Sequence, residues 1–166
     1  MSPLRAASRK RAASARRRID DERPRFDPDP GERGALVARF LDAARNGDMD
    51  GLVALLAPDA VMLGDGGGKA RAIAAPMHGA SRIARALLGF YRIAEQWDVS
   101  FEPAIVNGQP GFRVIGPDGR LVNVTSLDVE GGAIIRLHSI VNPDKLAHLG
   151  PTSDLALRQV RPTPPA

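Results

Sequence analysis

Cysteine is absent from the 166-residue chain, which excludes both a disulfide framework and a thiolate metal site. Three histidines, His78, His138 and His148, are scattered without a zinc-ligand spacing, so no metal and no cofactor is expected. No serine stands in a nucleophile-elbow context, which leaves covalent catalysis without a nucleophile. No apolar stretch reaches the roughly 18 residues that cross a bilayer, and the N-terminus lacks the apolar segment of a secretory signal. These absences predict a soluble, cytoplasmic chain without a membrane partner.

What the chain does have is 43% apolar and 25% charged residues, the composition of one ordinary domain with extensions. Its net charge of +4 conceals an asymmetry: residues 1–25 hold nine Arg/Lys against Asp20, Asp21 and Glu22, and the remainder is slightly acidic. Residues 4–22, LRAASRKRAASARRRIDDE, combine good helix formers with few bulky apolar side chains, so a helix there needs support from outside the chain. Such an arm suits nonspecific nucleic-acid contact through Arg9, Lys10, Arg16 and Arg17. A solvated arm has the same composition.

The prolines of RPRFDPDPGER, namely Pro24, Pro28 and Pro30, impose extended backbone and read as a linker. This divides the chain into an arm over 1–25, a linker over 26–32, a domain over 33–149 and a Pro-rich mobile tail over 150–166. Within the domain, Leu36, Val37, Phe40, Leu41 and Ala44 share one helical face that Asn46-Gly47 terminates. Asp48 caps a short second helix carrying Leu52, Leu55 and Leu56, which Pro58 ends. AVMLGD is a brief strand, and Ile83, Ala84, Leu87, Leu88 and Tyr91 mark a third amphipathic helix ending near Gln96-Trp97. Turn signals at Asn107-Gly108, Gly116-Pro117-Asp118-Gly119 and Glu130-Gly131-Gly132 then separate four runs rich in Val, Ile and Leu, the spacing of an antiparallel meander. Asn142, with Pro143 behind it, caps a final helical turn.

LGDGGGKAR, at residues 63–71, poses the sharpest functional question. A phosphate loop needs a Gly-rich turn opening directly into a helix, usually ending in Lys-Ser/Thr. Lys69 is instead followed by Ala70-Arg71-Ala72, and the next helix starts only after Met77-His78-Gly79. The nucleotide reading fails on context; three glycines do allow positive φ and close approach of another surface. For an acid/base enzyme the candidate pocket residues are Asp65, His78, Tyr91, Arg113 and His138. Arg136 and His138 share strand parity with Ile134 and Ile140, so that face is either a mixed pocket wall or a half-exposed surface.

The element order is α+β, with three helices packed on a curved, mainly antiparallel sheet behind a basic N-terminal helical arm. Over residues 33–149 it resembles the cone-shaped fold of nuclear transport factor 2, ketosteroid isomerase and the SnoaL polyketide cyclases, a fold that assigns no function alone. More specific motifs point further. SRKRAASARRRIDDERPRF resembles the closing helix of sigma region 4, and DGGGK at Asp65–Lys69, PMHG at Pro76–Gly79 and NPDKL at Asn142–Leu146 resemble the SnoaL-like extension of one group of extracytoplasmic-function sigma factors.

That resemblance implies a regulatory extension, not a catalyst. It implies contacts with sigma regions 2 and 4, their linker and the RNA polymerase core through Asp65, Gly66, Gly67, Gly68 and Lys69, and through Asn142, Pro143, Asp144, Lys145 and Leu146. The two motifs are expected at opposite ends of the sheet. Promoter DNA is a partner only in the full-length context, because a recognition helix needs its neighbours to enter the groove. The chain begins inside the counterpart of that helix, which also departs from the pattern at Arg11, so it is not expected to work as a sigma factor by itself. A small apolar ligand in the cone and a homodimer are both compatible with the sequence.

Overall fold

The computed structural model describes residues 30–70, 72–153 and 155. The basic arm and its expected nucleic-acid contacts at Arg9, Lys10, Arg16 and Arg17 lie outside the described residues. Helix α1 spans Pro30–Arg45 and α2 Met49–Leu55, followed by strands β1 (Leu56–Asp65) and β2 (Met77–His78). Helix α3 spans Ala80–Glu95, the strands β3 (Ser100–Val106), β4 (Gln109–Ile115), β5 (Leu121–Glu130) and β6 (Ala133–Ile140) follow, and a short α4 covers Pro143–Leu146.

Local chemistry accounts for most boundaries. Pro30, read from sequence as a linker residue, opens α1 instead, a position where its missing amide costs no hydrogen bond. Gly47 leaves the helix with φ +66°. Asp48 accepts the Gly51 amide at 2.9 Å and starts α2, as its position predicted. Pro58 does not end that helix. It lies in β1, which already begins at Leu56, within a stretch where pairing to β6 is interrupted between Leu56 and Val61, so its lack of an N–H is tolerated. Asn107 and Gly108, both with positive φ, make the tight turn between β3 and β4.

The expected four-strand meander is β3 to β6. Among the described residues the sheet has six strands in the order β2-β1-β6-β5-β4-β3. Every pairing is antiparallel except β1 with β6, which runs parallel. Pairing between strands so distant in sequence leaves no mark on hydropathy, and the two-residue β2 is too short to show a period.

Helices α1, α2 and α3 cover the inner face of the sheet. Phe40, Leu52, Ile83, Leu127, Ile134 and Leu137 are fully buried between the layers, each worth about 1.5–3 kcal/mol of apolar burial. An aromatic series joins the layers: Phe40 lies 5.9 Å from Phe112, Phe112 6.1 Å from Phe101, and Phe101 4.3 Å from Tyr91. A second, small cluster forms on the outer face, where Leu146 of α4 packs with Leu121 and Val124. Beyond α4 the chain rounds the end of the sheet. Thr152 bridges Leu121, the Leu121 amide donates to the Pro151 carbonyl at 2.9 Å, and the Ser153 amide donates to the Leu121 carbonyl at 2.7 Å. Leu155 then packs against the main core. Pro151–Ser153, assigned to the tail by sequence, are therefore joined to the sheet.

Candidate functional site

The parallel pairing of β1 and β6 decides where the two motifs meet. Leu63, Gly64 and Asp65 pair with His138, Ser139 and Ile140, and the Val141 amide donates to the Asp65 carbonyl at 2.9 Å. Both strands end at the same edge of the sheet. DGGGK and NPDKL are consequently adjacent, which corrects the expectation that they occupy opposite ends.

Asp65 is the hub. Its Oδ1 accepts the Gly67 amide at 3.0 Å and Asn142 Nδ2 at 3.2 Å, and its Oδ2 accepts Lys145 Nζ. Lys69 Nζ reaches across the other way and donates to both carboxylate oxygens of Asp144, at 3.0 and 2.9 Å. Asn142 Oδ1 accepts the Asp144 amide at 3.1 Å and so caps α4, the role its sequence position predicted. The result is a clasp of two crossed ion pairs with an asparagine between them. The Lys145 ammonium, followed against partial desolvation by the Gly67 amide and Asn142, holds the Asp65 carboxyl below its ordinary value.

The glycines serve this clasp. Gly67 and Gly68 take φ of +60° and +73°, and a Cβ on Gly67 would lie 2.4 Å from Asn142 Cγ. A Cβ on Gly66 would lie 2.1 Å from the Ala70 carbonyl oxygen. At Gly67 the surface that approaches the glycine backbone closely is thus the chain's own Asn142, and at Gly66 it is the turn itself. Lys69, Asp144 and Lys145 keep more than half of their side-chain surface exposed, and Gly68 has open space above it. Exposed ion pairs contribute little stability individually; what the clasp fixes is the orientation of α4 and of the turn.

The enzyme-type candidates do not line one pocket. Directly paired residues share a sheet face, and the register puts His78 beside Val61, His138 beside Leu63 and Ser126, and Arg113 beside Val124. Asp65, His78, Arg113 and His138 therefore all belong to the outer face, away from the helices. Arg113 pairs with Glu102 at 2.7 Å, and His138 Nε2 lies 3.2 Å from Asp128 Oδ2, with Arg136 at 3.9 Å from the same oxygen. Tyr91 alone faces inward. Burial pushes its pKa up, partly offset by the nearby Arg45, and its hydroxyl is buried with no partner in hydrogen-bonding geometry among the described residues.

The grouping of Ile134 with Arg136 and His138 also fails. Val129 pairs with Ile134 but Asp128 with Arg136, so Ile135 is an unpaired bulge residue and parity changes there. Ile134 is buried in the core while Arg136 is exposed.

Sequence reasoning missed the polar residues of the inner face. Thr125 Oγ1 donates to Asn123 Oδ1 at 2.7 Å and Asn123 Nδ2 donates to Ser139 Oγ at 2.7 Å. The two-residue spacing of Asn123 and Thr125 in β5 was the available signal. Among the described residues no group of three or more His, Cys, Asp or Glu could hold a metal ion. No helix among them is long and apolar enough to cross a membrane.

A curved, mainly antiparallel sheet with helices on its inner face and a clasp joining the ends of its two parallel strands defines an α+β cone. The chain belongs to the SnoaL-like domain family, whose pattern it matches over residues 37–138. It is 31% identical over 167 aligned residues to the extracytoplasmic-function RNA polymerase sigma factor SigJ of Mycobacterium tuberculosis, an alignment covering 95% of this chain and 52% of that protein. The crystal structure of SigJ superposes with a TM-score of 0.64 and 30% identity over 84% of this chain and 49% of that one. A de novo designed protein with a curved β-sheet matches with a TM-score of 0.53 at 13% identity, over 73% of this chain and 98% of the design, a likeness of fold alone. The chain spans about half the length of the curated relative it matches.

Proposed function

We propose that this chain is the SnoaL-like regulatory part of an extracytoplasmic-function sigma factor, acting on transcription initiation by contacts of its clasp with sigma regions 2 and 4, their linker and the RNA polymerase core. Under this reading residues 1–25 are the end of sigma region 4, 26–32 a linker, 33–149 the regulatory domain and 150–166 its tail. The observation that carries it is the convergence of Asp65–Lys69 and Asn142–Leu146 on one exposed corner, in a chain similar to SigJ. A fixed corner carrying alternating charges offers oriented, charge-assisted hydrogen bonds to a partner. A domain held between two sigma regions biases their relative geometry, which is all a conformational switch requires.

The test is binding of the full chain to separately expressed sigma regions 2 and 4 of SigJ. Binding weakened by Lys69→Ala and by Asp144→Ala is the expected result. No binding, or binding indifferent to both changes, counts against the reading.

A second reading, a small-molecule-binding or isomerase/cyclase-like protein, draws support from Asn123, Thr125 and Ser139, hydrogen-bonded on the inner face where a cone would hold a ligand. A thermal-shift screen of small apolar ligands, repeated on Asn123→Leu, tests it; no stabilising ligand rules it out.

A further inference from the structure

The solvent side of α3 has a composition that the domain itself does not explain. Phe90 and Ile93 are 50% and 41% exposed. They lie on one helical stripe with Ala86 and Gly89, which flanks the face formed by Ile83, Ala84 and Leu87 that packs in the core and turns from it toward solvent at Gly89. Gly89 is in the interior of a 16-residue helix, where glycine is the costliest ordinary residue after proline. A Cβ there would meet nothing within 4 Å. Among the described residues no contact requires the missing side chain.

Charge completes the description. Arg82, Arg85 and Arg92 border the stripe, and none of the three makes an ion pair or side-chain hydrogen bond among the described residues. The one acidic residue of α3, Glu95, is at its C-terminal end. In the N-terminal arm residues 1–18 hold seven Arg/Lys and no acid, the acidic stretch that follows, Asp20 to Asp29, is interrupted by Pro24 and Pro28 and so does not supply a continuous helix, and the tail carries Arg158 and Arg161 against Asp154. A second copy packed stripe to stripe would set arginines against arginines.

We propose that the Ala86–Ile93 face of α3 docks an acidic amphipathic helix of another polypeptide. Its apolar side covers Phe90 and Ile93, its backbone approaches at Gly89 and Ala86, and its carboxylates pair with Arg82, Arg85 and Arg92. Small residues let two helix backbones approach to the short end of the usual interaxial distance, and an amphipathic helix supplies anchors at the matching spacing. This face is on the helix layer and the clasp is at the sheet edge, so the inference goes beyond the sigma-factor reading and does not depend on it.

The experiment is selection of a displayed library of about 20-residue amphipathic helices, with flanks randomised among Glu, Gln and Lys, against the full chain. Enrichment of Glu-flanked helices is expected. Binding of the selected peptides should fall about tenfold or more in Gly89→Leu and in the Arg85→Glu/Arg92→Glu pair, and Lys69→Ala should leave it unchanged. Gly89→Leu projects into open space and keeps the fold, which its melting curve verifies. No enrichment, enrichment of neutral or basic helices, or binding indifferent to Gly89→Leu overturns the proposal. So does dimerisation of the chain in sedimentation that Gly89→Leu abolishes, which would assign the face to a second copy.

Discussion

Gly67 and Asn142 fill adjoining volumes across the two motifs, with no room for a methyl group between them: a Cβ on Gly67 would fall 2.4–2.5 Å from the amide atoms of Asn142. Gly67→Ala therefore combines a left-handed backbone penalty with a clash against the residue that caps α4. A loss of about 2–3 kcal/mol is expected in urea unfolding. Gly68 shares the positive φ but faces open space, so Gly68→Ala should cost only about 1 kcal/mol. Equal losses at the two positions would mean that packing against Asn142 contributes nothing.

Acid should loosen the clasp. The Asp65 carboxyl is held below its ordinary value chiefly by the Lys145 ammonium, so the folded state binds its proton less readily than the unfolded state does. The stabilisation is fully present above the unfolded value of about 3.9 and is lost as pH falls through the lower folded value. Asp65→Asn should flatten the acid limb of a stability–pH profile and leave the neutral region with a constant offset. An unchanged acid limb in that variant would show that Asp65 does not carry the dependence.

Local signals in the sequence located the long helices and the meander, but not β2, the start of β1 at Leu56 or the assembly of the sheet. Asp48 and Asn142 were legible as caps because an N-cap needs only a short polar side chain at a known offset. Asn107-Gly108 was legible because both residues tolerate positive φ. The meeting of Asp65 with Lys145 was not, since it follows from β1 lying parallel to β6, a choice made by the whole core. Parity arguments held along β6 only from Arg136 onward, because the bulge at Ile135 shifts the alternation. The glycine run was legible as a place of close approach, yet the approaching surface proved to include Asn142 of the same chain.

Tyr91 separates packing from polarity. Its ring stacks on Phe101 with an interplanar angle of 14°, while its buried hydroxyl has no partner in hydrogen-bonding geometry among the described residues, although the Arg45 guanidinium lies near enough to offset part of the rise in its pKa. An unsatisfied buried hydroxyl costs about 1–3 kcal/mol. Tyr91→Phe should therefore be neutral or stabilising, and Tyr91→Ala, at a half-buried position, should lose about 2–3 kcal/mol with the stack. Destabilisation by Tyr91→Phe would reveal a hydrogen bond made in solution. It would also restore Tyr91 as the inward-facing polar group of a ligand site.

The segment after α4 closes the sheet end, and its removal should be felt in the core. Both backbone groups of Leu121 are satisfied by Pro151 and Ser153, and a Cβ on Gly116 would lie 3.2 Å from a Leu155 methyl and 3.3 Å from the Ser153 hydroxyl oxygen. Cutting the chain after Gly150 strips those partners from Leu121 and uncovers the apolar residues beneath Leu155. Backbone groups left unpaired at a partly covered site cost about 1–3 kcal/mol, so the truncated chain should melt several degrees lower. Leu155→Ala keeps the backbone bonds and removes only apolar contact, for a smaller loss of about 1–2 kcal/mol in a half-buried position. The order of the two effects is the discriminating result. If Leu155→Ala matches the truncation, the segment acts through its side chain; if it has no effect, the bridge to Leu121 alone holds it.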